Sequence, residues 1–231
     1  MPAGGGTLSS KNGEAKHPFQ FMACWELREM LGRRAADVQE LLEGLEEVPL
    51  DSIYFHTHSY FLRHPYIAGP YPNDFANWAA IQLRDRVLGE RLAVIDPFEV
   101  ADLEALRNEV VTILDDHLSH VGSVPRVVFG ELFYFMQSRI LAVPAGVKAR
   151  TLSEFRDALE RIDASAVYYH VFDAMARKGK RRSDFTVWIE DSLGMRELAS
   201  RFTALNPYAS SLEGLRGRLV KLCEAAEREK S

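Results

Sequence analysis

Apolar residues at Val38, Leu41, Leu42, Leu45 and Val48 recur every three or four positions, which is one stripe of an α-helix. Asp37 and Glu40 stand at the start of that run in capping-box spacing, and Thr151 and Glu154 stand likewise before Leu152, Phe155, Leu159 and Ile162. A second pair of helices is predicted to start at Ser52 and Ser165, carrying Ile53-Tyr54-Phe55-His56 and Val167-Tyr168-Tyr169-His170. A third pair starts at Asp74 and Asp184, each Asp serving as N-cap, and runs, straight or kinked, to stops at Asp96-Pro97 and Asn206-Pro207. The last helices cover 101–115 and 211–227, the second opening with the capping box Ser210-Ser-Leu-Glu213. Phe19-Gln-Phe21-Met-Ala23-Cys-Trp25 alternates as a strand does, and so does Phe133-Tyr-Phe135. Periodicity does not separate strand from helix in such short runs, so short paired strands at these two places stay open beside helices.

The same pattern occurs twice. Phe19–His56 aligns without a gap to Phe133–His170, and Asp74–Pro97 aligns without a gap to Asp184–Pro207. Identical pairs include Phe19/Phe133, Phe21/Phe135, Gly32/Gly146, Tyr54/Tyr168, His56/His170, Asp74/Asp184 and Trp78/Trp188. The extra length of the first copy falls in the His64–Pro70 loop, where insertion disturbs few buried groups. The expected architecture is therefore mainly α: a tandem duplication of a three- to four-helix module. Module 1 spans 18–115 and module 2 spans 127–226, the two packing as one pseudo-two-fold domain. Residues 1–16, with Gly4-Gly5-Gly6 and little to bury, are expected to be a disordered tail.

Composition narrows the classes of function. Charged residues make up 26% of the chain and hydrophobic ones 47%, enough for a packed core. The net charge of −5 argues against a general nucleic-acid binder, and no apolar run reaches membrane-spanning length. The basic run Arg177–Arg182 reads as a solvated loop. The two cysteines, Cys24 and Cys223, make neither a disulfide framework nor a zinc site and read as buried thiols. With no secretory signal pattern at the N-terminus, a cytoplasmic location is expected.

The phrases Ser52-Ile-Tyr-Phe-His-Thr-His58, Pro72-Asn-Asp-Phe-Ala-Asn-Trp78 and Leu88-Gly-Glu-Arg-Leu-Ala-Val-Ile-Asp96 resemble those of a prokaryotic family known only as a domain of unknown function. The resemblance covers nearly all of 19–226 and implies a shared fold without an established activity. Module 2 departs from it where Val171-Phe172 replaces Thr57-His58 and Arg182-Ser183 replaces Pro72-Asn73.

The residues from which chemistry can be argued are Tyr54, His56, His58, His64, Asp74, His170 and Asp184. His56 and His170 follow paired aromatics in both copies, which fits core histidines bonded to a carbonyl or a carboxylate. His117 and His120 read as exposed joint residues. No Gly-rich phosphate loop, Gly-x-Ser-x-Gly elbow, His-Glu-x-x-His or Cys-x-x-Cys occurs, so no cofactor and no metal are assigned. Two functions compete. The first is a non-enzymatic binding or regulatory protein, acting on a protein or small-molecule partner through a groove between the modules or through its helical faces. The alternative is a small-molecule or metal-dependent enzyme whose pocket in module 1 gathers Tyr54, His56, His58, Tyr60, His64 and Asp74 under the 65–72 loop.

Overall fold

The computed structural model describes residues 14–178 and 182–229. It is mainly helical, built round one long two-stranded antiparallel ribbon. The order is β1 (Phe19–Ala35), α1 (Val38–Glu47), α2 (Leu50–His56), α3 (Tyr60–Arg63), α4 (Asp74–Ile81), α5 (Arg86–Ala93) and α6 (Leu103–His120). Then come β2 (Phe133–Ala149), α7 (Leu152–Arg161), α8 (Ala164–Tyr168), a π-turn (Tyr169–Asp173), α9 (Ala174–Lys178), α10 (Asp184–Asp191) and α11 (Arg196–Ala204). A short 3-10 turn (Pro207–Ala209) and α12 (Leu212–Arg228) complete the chain.

The alternating runs are strands, and they are long rather than short, 17 residues each. They pair with each other, Phe19 opposite Ala149 and Ala35 opposite Phe133. The register slips at both ends. Leu31, Gly32 and Arg33 stand against Phe135 alone, and Ala145, Gly146 and Val147 against Phe21 alone. Such bulges need backbone that L side chains avoid, which Gly32 (φ 72°) and Gly146 (φ 73°) supply. The extra twist turns Phe21 and Phe135 inward, where both are fully buried.

The ribbon carries each strand's phenylalanines into the opposite half. Phe19 and Phe21 belong to the core built by Phe155, Tyr168, Phe185, Trp188 and Leu215, and Phe21 stacks on Phe155 at 5.4 Å. Phe133 and Phe135 belong to the core of Leu41, Leu45, Phe75, Trp78 and Leu106. Phe135 lies so close to α1 that a Cβ at Gly44 would sit 2.2 Å from its ring. Matched polar contacts repeat the arrangement. Trp78 Nε1–H donates to Glu131 O at 2.9 Å, and Trp188 Nε1–H donates to His17 O at 2.7 Å. Arg107 donates to Val48 O and Arg216 to Ile162 O, at 2.7 and 2.6 Å.

Several local expectations change. The third helices are capped by Asn73 and Ser183, whose side chains accept from Ala76 N–H and Thr186 N–H; Asp74 and Asp184 fall one position inside, which frees their carboxylates for other partners. Ser211 rather than Ser210 caps α12. The tail expected over 1–16 is docked at its end, since Ala15 N–H donates to Arg150 O and Lys16 N–H to Ser192 O. The rest of it, 1–13, lies outside the described residues. His117 is not an exposed joint residue. It is buried on α6, with Nε2 2.8 Å from Asp85 Oδ2, an ion-pair distance without hydrogen-bond alignment.

Because each core is completed by the other half's strand, residues 14–121 and 122–229 expressed separately are expected to stay unfolded and to gain native helicity on mixing. Far-UV circular dichroism of each half and of the mixture checks this; a cooperatively folded single half would overturn the exchange.

Candidate functional site

Two clusters collect the polar side chains singled out by the sequence. The first is a latch present once in each half. His56 Nδ1–H donates to Asp74 Oδ2 at 2.8 Å, and its Nε2 accepts the Met136 N–H of β2 at 3.1 Å. His170 repeats this with Asp184 Oδ2 at 3.0 Å and the Met22 N–H of β1 at 2.8 Å. A main-chain N–H can only donate, so both rings are the neutral Nδ1–H tautomer. Burial lowers the pKa of both imidazoles, more than the neighbouring carboxylates raise it. Burial alone would raise the carboxyls. The hydrogen bonds from His56 and Arg63 hold Asp74 below its usual range, and those from His170 and Lys178 do the same for Asp184. Arg63 grips both Asp74 oxygens, at 3.2 and 2.6 Å, and lies 4.2 Å over the Phe55 ring.

The second cluster lies at the seam. Glu26 faces Ile140 across the ribbon, and Tyr54 meets Tyr168, their hydroxyls 2.7 Å apart and their positions 114 residues apart in the chain. Tyr54 OH also donates to Asp173 Oδ1 at 3.0 Å, and Arg177 closes the network on Asp173. Burial first, then Tyr168 and Asp173, raises the Tyr54 phenol far above its ordinary value. The π-turn carries Asp173 into this network; such wide turns are frequent at functional sites. Beside Tyr54 opens a cavity of about 250 Å³, walled by His58, Phe98, Leu103 and Met175, with Asp102 and Arg177 its charged residues.

The sequence-derived residues therefore divide. His56, His64 and Asp74 share one open groove with Arg63, Trp78 and Met136. His64 Nδ1–H donates to Tyr60 O at 2.9 Å, and its ring stacks on Tyr60. Tyr54 and His58 face the seam cavity instead, their rings parallel at 5.1 Å. His58 turns away because it lies two residues beyond His56, past the end of α2. His170 and Asp184 belong to the second latch. Among the described residues no group of three or more His, Cys, Asp or Glu could hold a metal ion, and no helix is long and apolar enough to cross a membrane. The basic run is split: Arg177 and Lys178 pair with Asp173 and Asp184, and Arg182 with Glu190, while 179–181 lie outside the described residues.

Sequence reading missed Asp173, Arg177, Phe98 and Met175. One signal was available: Asp173 aligns with Ser59 in the internal alignment, a charge close to the matched pair Tyr54 and Tyr168.

His58 is pushed down to about 4 by burial. In the unfolded chain His56, His58 and His170 protonate near 6.5, whereas folded they do so at lower pH. The stability tied to these neutral rings is complete above pH 6.5 and is lost as pH falls below it, at ~1.4 kcal/mol per pH unit for each proton taken up on unfolding. Asp74 and Asp184 add a further loss below about pH 4. Urea midpoints measured from pH 7.5 to 4 are expected to fall steadily below 6.5; a flat profile would contradict the neutral latches. His56→Ala and His170→Ala are each expected to lose roughly 1–3 kcal/mol for every buried group left without a partner. Variants as stable as the parent in the same titration would show that the rings are not structural.

Comparison with known proteins agrees with the fold. OrfY from Thermoproteus tenax has a structure similar to this chain, with a TM-score of 0.75 and 28% sequence identity over 93% of this chain and 98% of that one. No curated protein matches. The profile of a family of unknown function, DUF5752, matches residues 16–224, and the chain belongs to that family.

Proposed function

We propose that this chain is a non-enzymatic binding protein of regulatory type, which holds a small molecule in the seam cavity between two halves that arose by tandem duplication of the modules 18–115 and 127–226. A cytoplasmic location is part of the same proposal. The observation that carries the binding reading is the cavity itself: concave, mostly apolar, and edged by a few convergent polar groups, as small-molecule sites are. The latch histidines and the two thiols are held inert. Both nitrogens of each latch imidazole are engaged. Burial lifts the Cys24 and Cys223 thiols to about 12. What supports the duplication is the run of identities together with the exchanged strands, paired bulges and paired latches.

The two corresponding places differ in their walls: the cavity beside Phe61 and Tyr208, about 200 Å³, is lined by the 67–72 loop rather than by a histidine and an arginine. The counterpart of Met175 in the first half is Phe61, a bulkier side chain that packs on Tyr208 at 5.5 Å. Met175→Phe therefore imports a residue that the fold already accepts. In a thermal-shift screen of small organic compounds, at least one is expected to raise the unfolding temperature of the parent and not of Met175→Phe. The bound compound is expected to be recovered unchanged after prolonged incubation. Compounds that stabilise both proteins equally count against the seam site, and conversion of a compound to product would favour the enzymatic alternative.

A further inference from the structure

Resting on the seam cavity as the binding site, we infer that its ligand is a small uncharged molecule with a predominantly apolar, ring-sized body. The charged groups and the tyrosine of the wall are already engaged within the protein. The Arg177 guanidinium donates to Asp173, approaches Asp184 at 3.8 Å and lies 4.8 Å over the Tyr169 ring. The Asp102 carboxylate accepts from Ala105 N–H at 2.8 Å, at the positive end of α6, where an anion is stabilised. Tyr54 OH donates to Asp173 and meets Tyr168 OH.

Burial keeps His58 neutral, against the pull of the Pro97 backbone. The Thr57 hydroxyl commits its proton to Ile53 O at 2.7 Å, so Thr57 Oγ1 accepts from His58 Nδ1–H at 3.1 Å. The ring stacks on Tyr54 and meets Phe98 edge-on at 5.1 Å. An ionic ligand entering this space would shed its hydration and find no uncompensated opposite charge, which is costly. An apolar body instead meets Phe98, Leu103, Met175 and the Tyr54–His58 stack. Met175 is the adaptable member of that wall, since its unbranched thioether fits irregular shapes and contacts aromatic rings well.

The class is tested on the full chain with three probes of one shape: 2-naphthol, which is neutral, 2-naphthoate, an anion, and 2-naphthylmethylammonium, a cation. Each is titrated by calorimetry at pH 7 into the parent, Met175→Phe and Val100→Trp, the last a second way to fill the cavity. The expected result is one site for 2-naphthol, at least tenfold weaker binding of both ions, and loss of 2-naphthol binding in either filled variant. If an ion binds as tightly as 2-naphthol and filling abolishes it, the seam site stands and the neutral class is overturned. If no probe binds, or if all bind the filled variants unchanged, the seam reading falls together with the class.

Discussion

A buried main-chain N–H must find an acceptor, and at Met22 and Met136 that acceptor is an imidazole from the half of the molecule that the strand enters. The rest of the structure depends on this latch. It fixes the strand exchange, because the imidazole reaches only a strand lying in this register. It fixes the tautomer, because Nε2 must be free to accept. It also sets the role of the following helix, because Nδ1–H needs the carboxylate presented at the start of α4 or α10. Phe19 and Phe21, or Phe133 and Phe135, then fill the core around the latch. Asn73 and Ser183 take over the capping of α4 and α10, which leaves each aspartate available.

The latch also shapes what the molecule can do. An imidazole bonded at both nitrogens and shielded from water is a poor general base. The histidines that look most like chemistry in the sequence thus hold the fold, and the proposed binding at the seam rests on shape and apolar contact. There the halves differ. The first half has Ser59 and Phe61 where the second has Asp173 and Met175, so a buried charge and a flexible side chain stand together on one side. Arg63 and Arg177 show the same difference. Arg63 grips Asp74 with two nitrogens, while Arg177 is drawn to Asp173 and leaves Asp184 mainly to Lys178.

The amino-acid sequence by itself determined the first helix of each half and its polarity, but not that the third splits into α4 and α5, or α10 and α11. Capping at Asp37 and Thr151 and the stripe from Val38 to Leu45 depend on residues a turn apart, so local spacing carries them. The paired histidines, aromatics and glycines were legible as identities, and so was a buried role for His56 and His170. Only the tertiary structure decided how long the strands are, that they cross between the cores, and which residues meet at the seam. Strand pairing joins positions such as Trp25 and Leu141, and its free energy comes from packing and hydrogen bonds that no local window contains. His58 shows the limit most plainly. Two residues from His56 in the chain, it faces a different cavity, because the chain leaves the helix between them and the neighbours that surround it come from α6, α9 and the loop at Phe98.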